Sequence, residues 1–264
     1  MATSATTPQL VEPAAAPDSG LQGQAGARRR ARPAKLPAPT LVLLVRHGTT
    51  PTTGKVLPGR AAGLHLADAG RTEAETVAER IAAWMESAPR QPRRNPSTAK
   101  VSAVAPAVAA VYASPLERAQ ETAAPIAARL GLEVTTEEGL IECDFGQWTG
   151  AELKVLRKLP EWTTVQRYPS GFCFPGGEAF TGMRARMART IQGFCQRHPG
   201  QTIVAVSHAD PIKCAVSDAL GTHLDLFQRI VVSPCSVTAI SYQATGPVVL
   251  AVNSTGGLAA LRPA

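Results

Sequence analysis

Three short stretches of this chain carry aliphatic or small side chains almost without interruption: 41–45 (LVLLV), 108–113 (VAAVYA) and 202–207 (TIVAVS). A strand with one wet face alternates apolar and polar residues with a period of two. These stretches do not alternate, so they read as strands buried on both faces of a sheet. The segments that follow them show helical spacing instead. Ala74, Val77, Ala78, Ile81, Trp84 and Met85 fall on one face of a helix over 68–85. Leu116, Ala119, Ala123, Ile126, Ala127 and Leu130 do the same over 115–130, and Gly131 closes that helix. Further helices are expected over 149–159, 178–197 and 210–220, with Pro211 near the first turn of the last. Shorter strands are expected at 132–135, 235–242 and 247–252. Strands alternating with helices specify an α/β fold: a three-layer α/β/α sandwich on a mostly parallel central sheet.

The flanks read differently. Residues 1–39 are rich in Ala, Pro, Thr, Gln and Gly, with too few large apolar side chains to offset their ordering entropy. They are expected to form a disordered tail, followed by a catalytic domain over 40–252 and a loose C-terminal tail over 253–264. Within the domain, 87–107 holds Pro89, Pro92, Pro96 and Pro106, which forbid a long helix and suggest a surface insertion. These flanks matter for the charge. The chain has 27 Lys+Arg and 20 Asp+Glu, a formal charge of +7. That balance invites a nucleic-acid partner. Yet the excess falls on Arg28–Lys35 in the tail and on Arg90, Arg93, Arg94 and Lys100 in the insertion, and the rest is neutral. A nucleic-acid partner is therefore disfavoured. No run of roughly 18 apolar residues is present, so a membrane-spanning helix is excluded. Five scattered cysteines with no CxxC pair argue against a disulfide scaffold or zinc ribbon and fit a reduced cytoplasm.

Chemistry concentrates where the buried strands end. The first runs into Arg46-His47-Gly48, the second into Ser114-Pro115-Leu116-Glu117-Arg118, and the fourth into Ser207-His208-Ala209-Asp210. In open α/β sheets such ends line the ligand crevice. Two arginines and two histidines there make a cationic pocket. Arginine matches phosphate bidentately, a neutral histidine can attack phosphorus, and a helix N-terminus beginning near Ala209 favours an anion.

These three segments, in this order and each at a strand end, resemble the histidine phosphatase (phosphoglycerate mutase-like) superfamily. The likeness runs from about Leu41 to Val252, and Glu142-Cys143-Asp144-Phe145-Gly146-Gln147-Trp148-Thr149-Gly150 resembles the family's acid-bearing loop. The resemblance implies a cofactor-independent phosphomonoesterase needing no metal, which acts on a small phosphorylated metabolite. His47 becomes phosphohistidine, and Arg46, Arg118 and His208 hold the phosphoryl oxygens. Glu142 protonates the leaving alkoxide, with Asp144 the neighbouring rival for that role. Gly48, Thr53, Arg60 and Ala209 join the phosphate- and substrate-binding set. His47 should be neutral and His208 protonated, with their pKa values pushed apart. Many members pair as homodimers.

Some positions depart from the family pattern. Thr53 stands where many members carry asparagine, and Leu66-Ala67-Asp68-Ala69-Gly70 lacks the usual threonine cap. The mutase-type arginine pair is missing, and a Glu-x-x-Phe-Gly-x-Trp-x-Gly loop stands instead. This favours hydrolysis over a phosphomutase using the same phosphohistidine, with a non-catalytic phospholigand-binding module as the third reading.

Overall fold

The computed structural model describes residues 38–87 and 108–258. The expected tail up to residue 37, the body of the basic insertion and residues 259–264 lie outside the described residues.

Six strands, β1 (Thr40–Arg46), β2 (Val108–Ala113), β3 (Val134–Thr136), β4 (Thr202–Ser207), β5 (Val237–Gln243) and β6 (Gly246–Ser254), form one sheet in the order β3-β2-β4-β1-β5-β6. The first four are mutually parallel, while β5 runs antiparallel to β1 and forms a hairpin with β6. Helices α1 (Asp68–Glu86) and α2 (Glu117–Leu130) cover one face, and α5 (Phe180–Arg197) and α6 (Ala209–Ala219) cover the other. The pleat of β1 shows why both helical layers are needed. Leu41, Leu43 and Val45 pack under α1 and α2, whereas Val42 and Leu44 pack under α5 and α6. All five are at most 1% exposed, and burial on this scale contributes about 1.5–3 kcal/mol per large side chain.

Register then places the chemistry. Arg46 lies beside Ser207 across the β1–β4 pair, so the residues that follow, His47 and His208, leave the sheet at the same edge. The His47 N–H donates to the Ser207 carbonyl at 2.9 Å and extends that pairing by one residue.

Two expectations need correction. The helix expected over 149–159 is only the single turn α3 (Leu153–Leu156). The stretch before it pairs with the loop after β1: Gly150 N–H donates to Leu57 O and Leu57 N–H to Ala151 O. Pro160 then opens a separate helix, α4 (Pro160–Arg167), inside what reads as a Pro/Gly loop. Proline has no N–H to continue the preceding turn but fits a first helical position. The C-terminal stretch is not loose as far as residue 258. Leu258 is buried in the α1/α2 core, and Arg80 donates to the carbonyls of Ser254 and Gly256.

Candidate active site

The Arg46-His47-Gly48 turn is seated by close packing. A Cβ on Gly48 would lie 2.6 Å from Gly70 O, and one on Gly70 would lie 2.0 Å from Thr49 O. Only two glycines let the start of α1 approach the turn this closely. Gly48 N–H donates to Thr122 Oγ1 at 3.0 Å, and that hydroxyl donates to Arg118 O at 2.7 Å. Thr49 is held through its N–H and hydroxyl by the Glu73 carboxylate at 2.8 and 2.9 Å. The Gly48 N–H, expected to face phosphate, is thus committed to Thr122. Thr53 Oγ1 accepts from Thr50 N–H at 2.9 Å, which leaves its O–H as a donor.

His47 is 5% exposed, with its ring centroid 5.1 Å from that of His208. Its Nδ1 lies 2.7 Å from Gly48 O. A carbonyl only accepts, so Nδ1 carries the proton and the lone pair of the neutral ring sits on Nε2. Burial, then the charges of Arg118 and Arg46, push the His47 pKa down to about 3. The ring is therefore neutral across the physiological range.

His208 is fully buried and stands at the N-cap position of α6, where its side chain makes no capping hydrogen bond. Its Nε2 lies 2.7 Å from Ser114 Oγ. When Ser114 donates, the proton of the neutral ring sits on Nδ1, a buried nitrogen with no partner among the described residues. Burial, and then the charges of His47 and the arginines, drives the His208 pKa well down. The expected separation of the two histidine pKa values is thus not built into the fold. Both are depressed, because both rings are buried among the same cations. A phosphoryl dianion would oppose this and raise them.

Arg118 is wholly buried; its Nη2 donates to Gly59 O at 2.7 Å, while Nε and Nη1 have no partner among the described residues. Arg46 donates from Nη1 to Val232 O at 2.7 Å and leaves its buried Nε without one. Buried guanidinium nitrogens are costly unless they meet an acceptor. Together with His208 Nδ1 they are the donors an anionic group would satisfy. Ala209 begins α6, where backbone N–H groups have no intrahelical acceptor.

Glu142 and Asp144, the two rival carboxyls, are sharply distinguished. Asp144 is 40% exposed at its side chain and accepts from Gly146 N–H at 2.9 Å. Glu142 is buried and, among the described residues, accepts only from the Cys143 N–H at 2.9 Å. Burial, then the charge of Asp210, raises its pKa to about 7 despite Arg118 and Arg46. Arg60 was expected to reach substrate, but all three of its nitrogens face protein acceptors. Nε donates to Glu142 O at 2.9 Å, Nη2 to Glu178 at 3.0 Å, and Nη1 lies 3.7 Å from Asp144.

Sequence reasoning did not single out Ser114, Thr122, Glu73, Glu178 or Arg186 for these contacts. Of these, Ser114 and Thr122 stand inside the matched motif, whereas the others carry no local signal. The other three histidines have partners of their own: His65 pairs with Glu121, His198 with Tyr112 and His223 with Asp225. Cys143, Cys214 and Cys235 are buried as expected of small hydrophobes, but Cys173 is exposed. Among the described residues no group of three or more His, Cys, Asp or Glu side chains is arranged to hold a metal ion, and no helix is long and apolar enough to cross a membrane.

A buried histidine held neutral by the charges of Arg46 and Arg118 thus shares one sheet edge with those two guanidinium groups, and the Glu142 carboxyl feels the same two charges. A family profile described as histidine phosphatase superfamily (branch 1) matches residues 98–255. The chain belongs to that superfamily. Among curated relatives, the bifunctional protein Rv2228c of Mycobacterium tuberculosis is 33% identical over 57% of this chain, and the match spans only 42% of that protein. Phosphoserine phosphatase 1 of Hydrogenobacter thermophilus is 33% identical over 55% of this chain and 70% of its own. In three dimensions, a phosphoserine phosphatase from Entamoeba histolytica, solved in complex with phosphoserine, superimposes with a TM-score of 0.67 at 25% identity. That match covers 82% of this chain and 98% of the other.

Proposed function

We propose that this protein is a cofactor-independent phosphomonoesterase acting through phosphohistidine on a small phosphorylated metabolite. One observation carries the reading. Arg46 Nε, Arg118 Nε and Nη1 and His208 Nδ1 are buried without partners among the described residues, and the Arg46 and Arg118 charges act on a neutral His47. The names of the relatives support a phosphorylated metabolite as the substrate class.

The steps follow from the geometry. The His47 Nε2 lone pair attacks phosphorus, the ester P–O bond breaks, and its electrons go to the leaving oxygen. Glu142, still protonated near neutral pH, gives that oxygen its proton. The Glu142 carboxylate then takes a proton from water, whose oxygen attacks the phosphoenzyme. The P–N bond breaks, its electrons return to Nε2, and inorganic phosphate leaves. Arg46, Arg118 and His208 offset the charge on the equatorial oxygens throughout. No step calls on a metal ion.

A cavity of about 290 Å³ beside Asp210 is lined by Leu57, Phe145, Trp162 and Phe174 together with Lys213 and Gln228. It offers space for the alcohol portion of a small ester. The unpaired cysteines fit a reduced, cytoplasmic setting. The test is a screen of phosphorylated metabolites with His47→Ala as the blank. Phosphate release by wild type alone supports hydrolysis. Transfer of the phosphoryl group to an added sugar phosphate in preference to water identifies a phosphomutase instead. No turnover of any ester leaves a binding module.

A further inference from the structure

The loop that carries Glu142 is held by its carbonyl oxygens, and each is taken by a side chain from elsewhere in the fold. Arg186 on α5 donates from Nη1 to both Gly139 O and Ile141 O at 2.8 Å. Ser207, the last residue of β4, donates to Leu140 O at 2.7 Å. Arg60 donates to Glu142 O at 2.9 Å. Four consecutive carbonyls, 139 to 142, are thereby fixed. The two arginines are joined through one carboxylate: Glu178 Oε2 accepts from Arg60 Nη2 at 3.0 Å and from Arg186 Nη2 at 2.9 Å. Glu178 Oε1 accepts from Arg186 Nε at 3.2 Å. The Glu178 backbone N–H donates to Asp144 O at 2.8 Å, and its Oε2 accepts from Asp144 N–H at 3.4 Å. The side chains of Glu178 and Arg186 are each 18% exposed, so solvent weakens this arrangement little.

Each of these atoms is engaged with protein, and their common target is the backbone that leads into Glu142. Among the described residues the Glu142 carboxyl itself receives only its neighbour's N–H. Its direction is therefore set by its backbone more than by contacts of its own. We infer that Glu178, Arg60 and Arg186 are positioning residues that aim the Glu142 carboxyl at the leaving oxygen. Ser207 ties the same loop to the strand that carries His208, so acid and phosphate-binding donors share one rigid frame. This assignment rests on the general-acid reading of Glu142.

A misaimed acid has a distinctive signature. It slows the departure of an alkoxide that must be protonated, and it spares a leaving group acidic enough to depart as the anion. The experiment compares first-turnover release, with enzyme in excess, of serine from phosphoserine and of 4-nitrophenolate from 4-nitrophenyl phosphate. In Arg186→Met, serine release should fall about 100-fold, the scale of an ångström-sized misplacement, and nitrophenolate release less than about 5-fold. Arg186→Lys keeps the charge but cannot span both carbonyls and Glu178, so it should show the same split and separate aim from long-range charge. If Arg186→Met does not fold, Arg186→Lys and Arg60→Lys carry the test. Equal losses for both esters, or no loss for either, would overturn the positioning role. A wild-type protein that releases neither alcohol overturns the phosphatase reading itself.

Discussion

Glu142 is buried as a carboxyl that keeps its proton to about pH 7. Its folded pKa lies above its unfolded value, so the folded state holds the proton more tightly. Stability from this group is present at low pH and is lost as pH rises between about 4.5 and 7. Glu142→Gln removes that loss, and chemical denaturation at pH 8 should find the variant more stable by about 3 kcal/mol. Turnover of alkyl phosphates should fall in the same variant by roughly 10²–10⁴-fold. His47 works in the opposite direction. Its folded pKa of about 3 lies below the unfolded value near 6.5, so the unfolded chain takes up a proton that the folded chain refuses. Stability from the neutral ring is complete above pH 6.5 and falls away towards pH 3. Denaturation curves of His47→Gln should accordingly depend less on pH between 6.5 and 4 than those of wild type.

At the scale of the element, the site depends on how tightly α1 meets the turn after β1. Gly70→Ala places a methyl where Thr49 O now lies. The turn must move, and the expected cost is about 1–3 kcal/mol in thermal or chemical unfolding. Activity should fall beyond what the stability loss explains, because Thr49 follows Gly48 directly.

The same scale shows what could be read in the sequence. The buried strands and long helices were legible because apolar runs and 3.6-residue periodicity are local signals. The four pocket residues were legible because each follows such a strand. The single turn α3 and the eight-residue α4 were not, since helices this short are fixed by tertiary contacts such as Leu57 with Ala151. The protein contacts of Arg60 were not legible for a related reason. Its position in a turn beside the site was visible, but Glu178 lies 118 residues away, and no local pattern announces that partner.

Across the molecule, the register of β1 against β4 and the closing of α2 against α1 bring residues 46, 47, 118 and 208 together. The pocket is therefore a property of the folded sheet edge, and an anion that satisfies it should stabilise the whole domain. Inorganic phosphate at 100 times its dissociation constant should raise stability by about 2.7 kcal/mol, visible as a rise in Tm. Arg118→Met should lose most of that rise, because Arg118 brings two of the buried donors left without partners among the described residues. A formal charge of +7 gives no such forecast. On the proposed function, the positive charge that acts is that of a few buried groups at one sheet edge.

The most direct test is to trap the phosphoenzyme. Brief reaction with a ³²P-labelled phosphomonoester, quenched in base and mapped by mass spectrometry, should yield an acid-labile, base-stable phosphoryl group on His47. That label should be absent from His47→Ala. A label that persists in His47→Ala, or that maps to another residue, would contradict the assignment of His47 as the nucleophile.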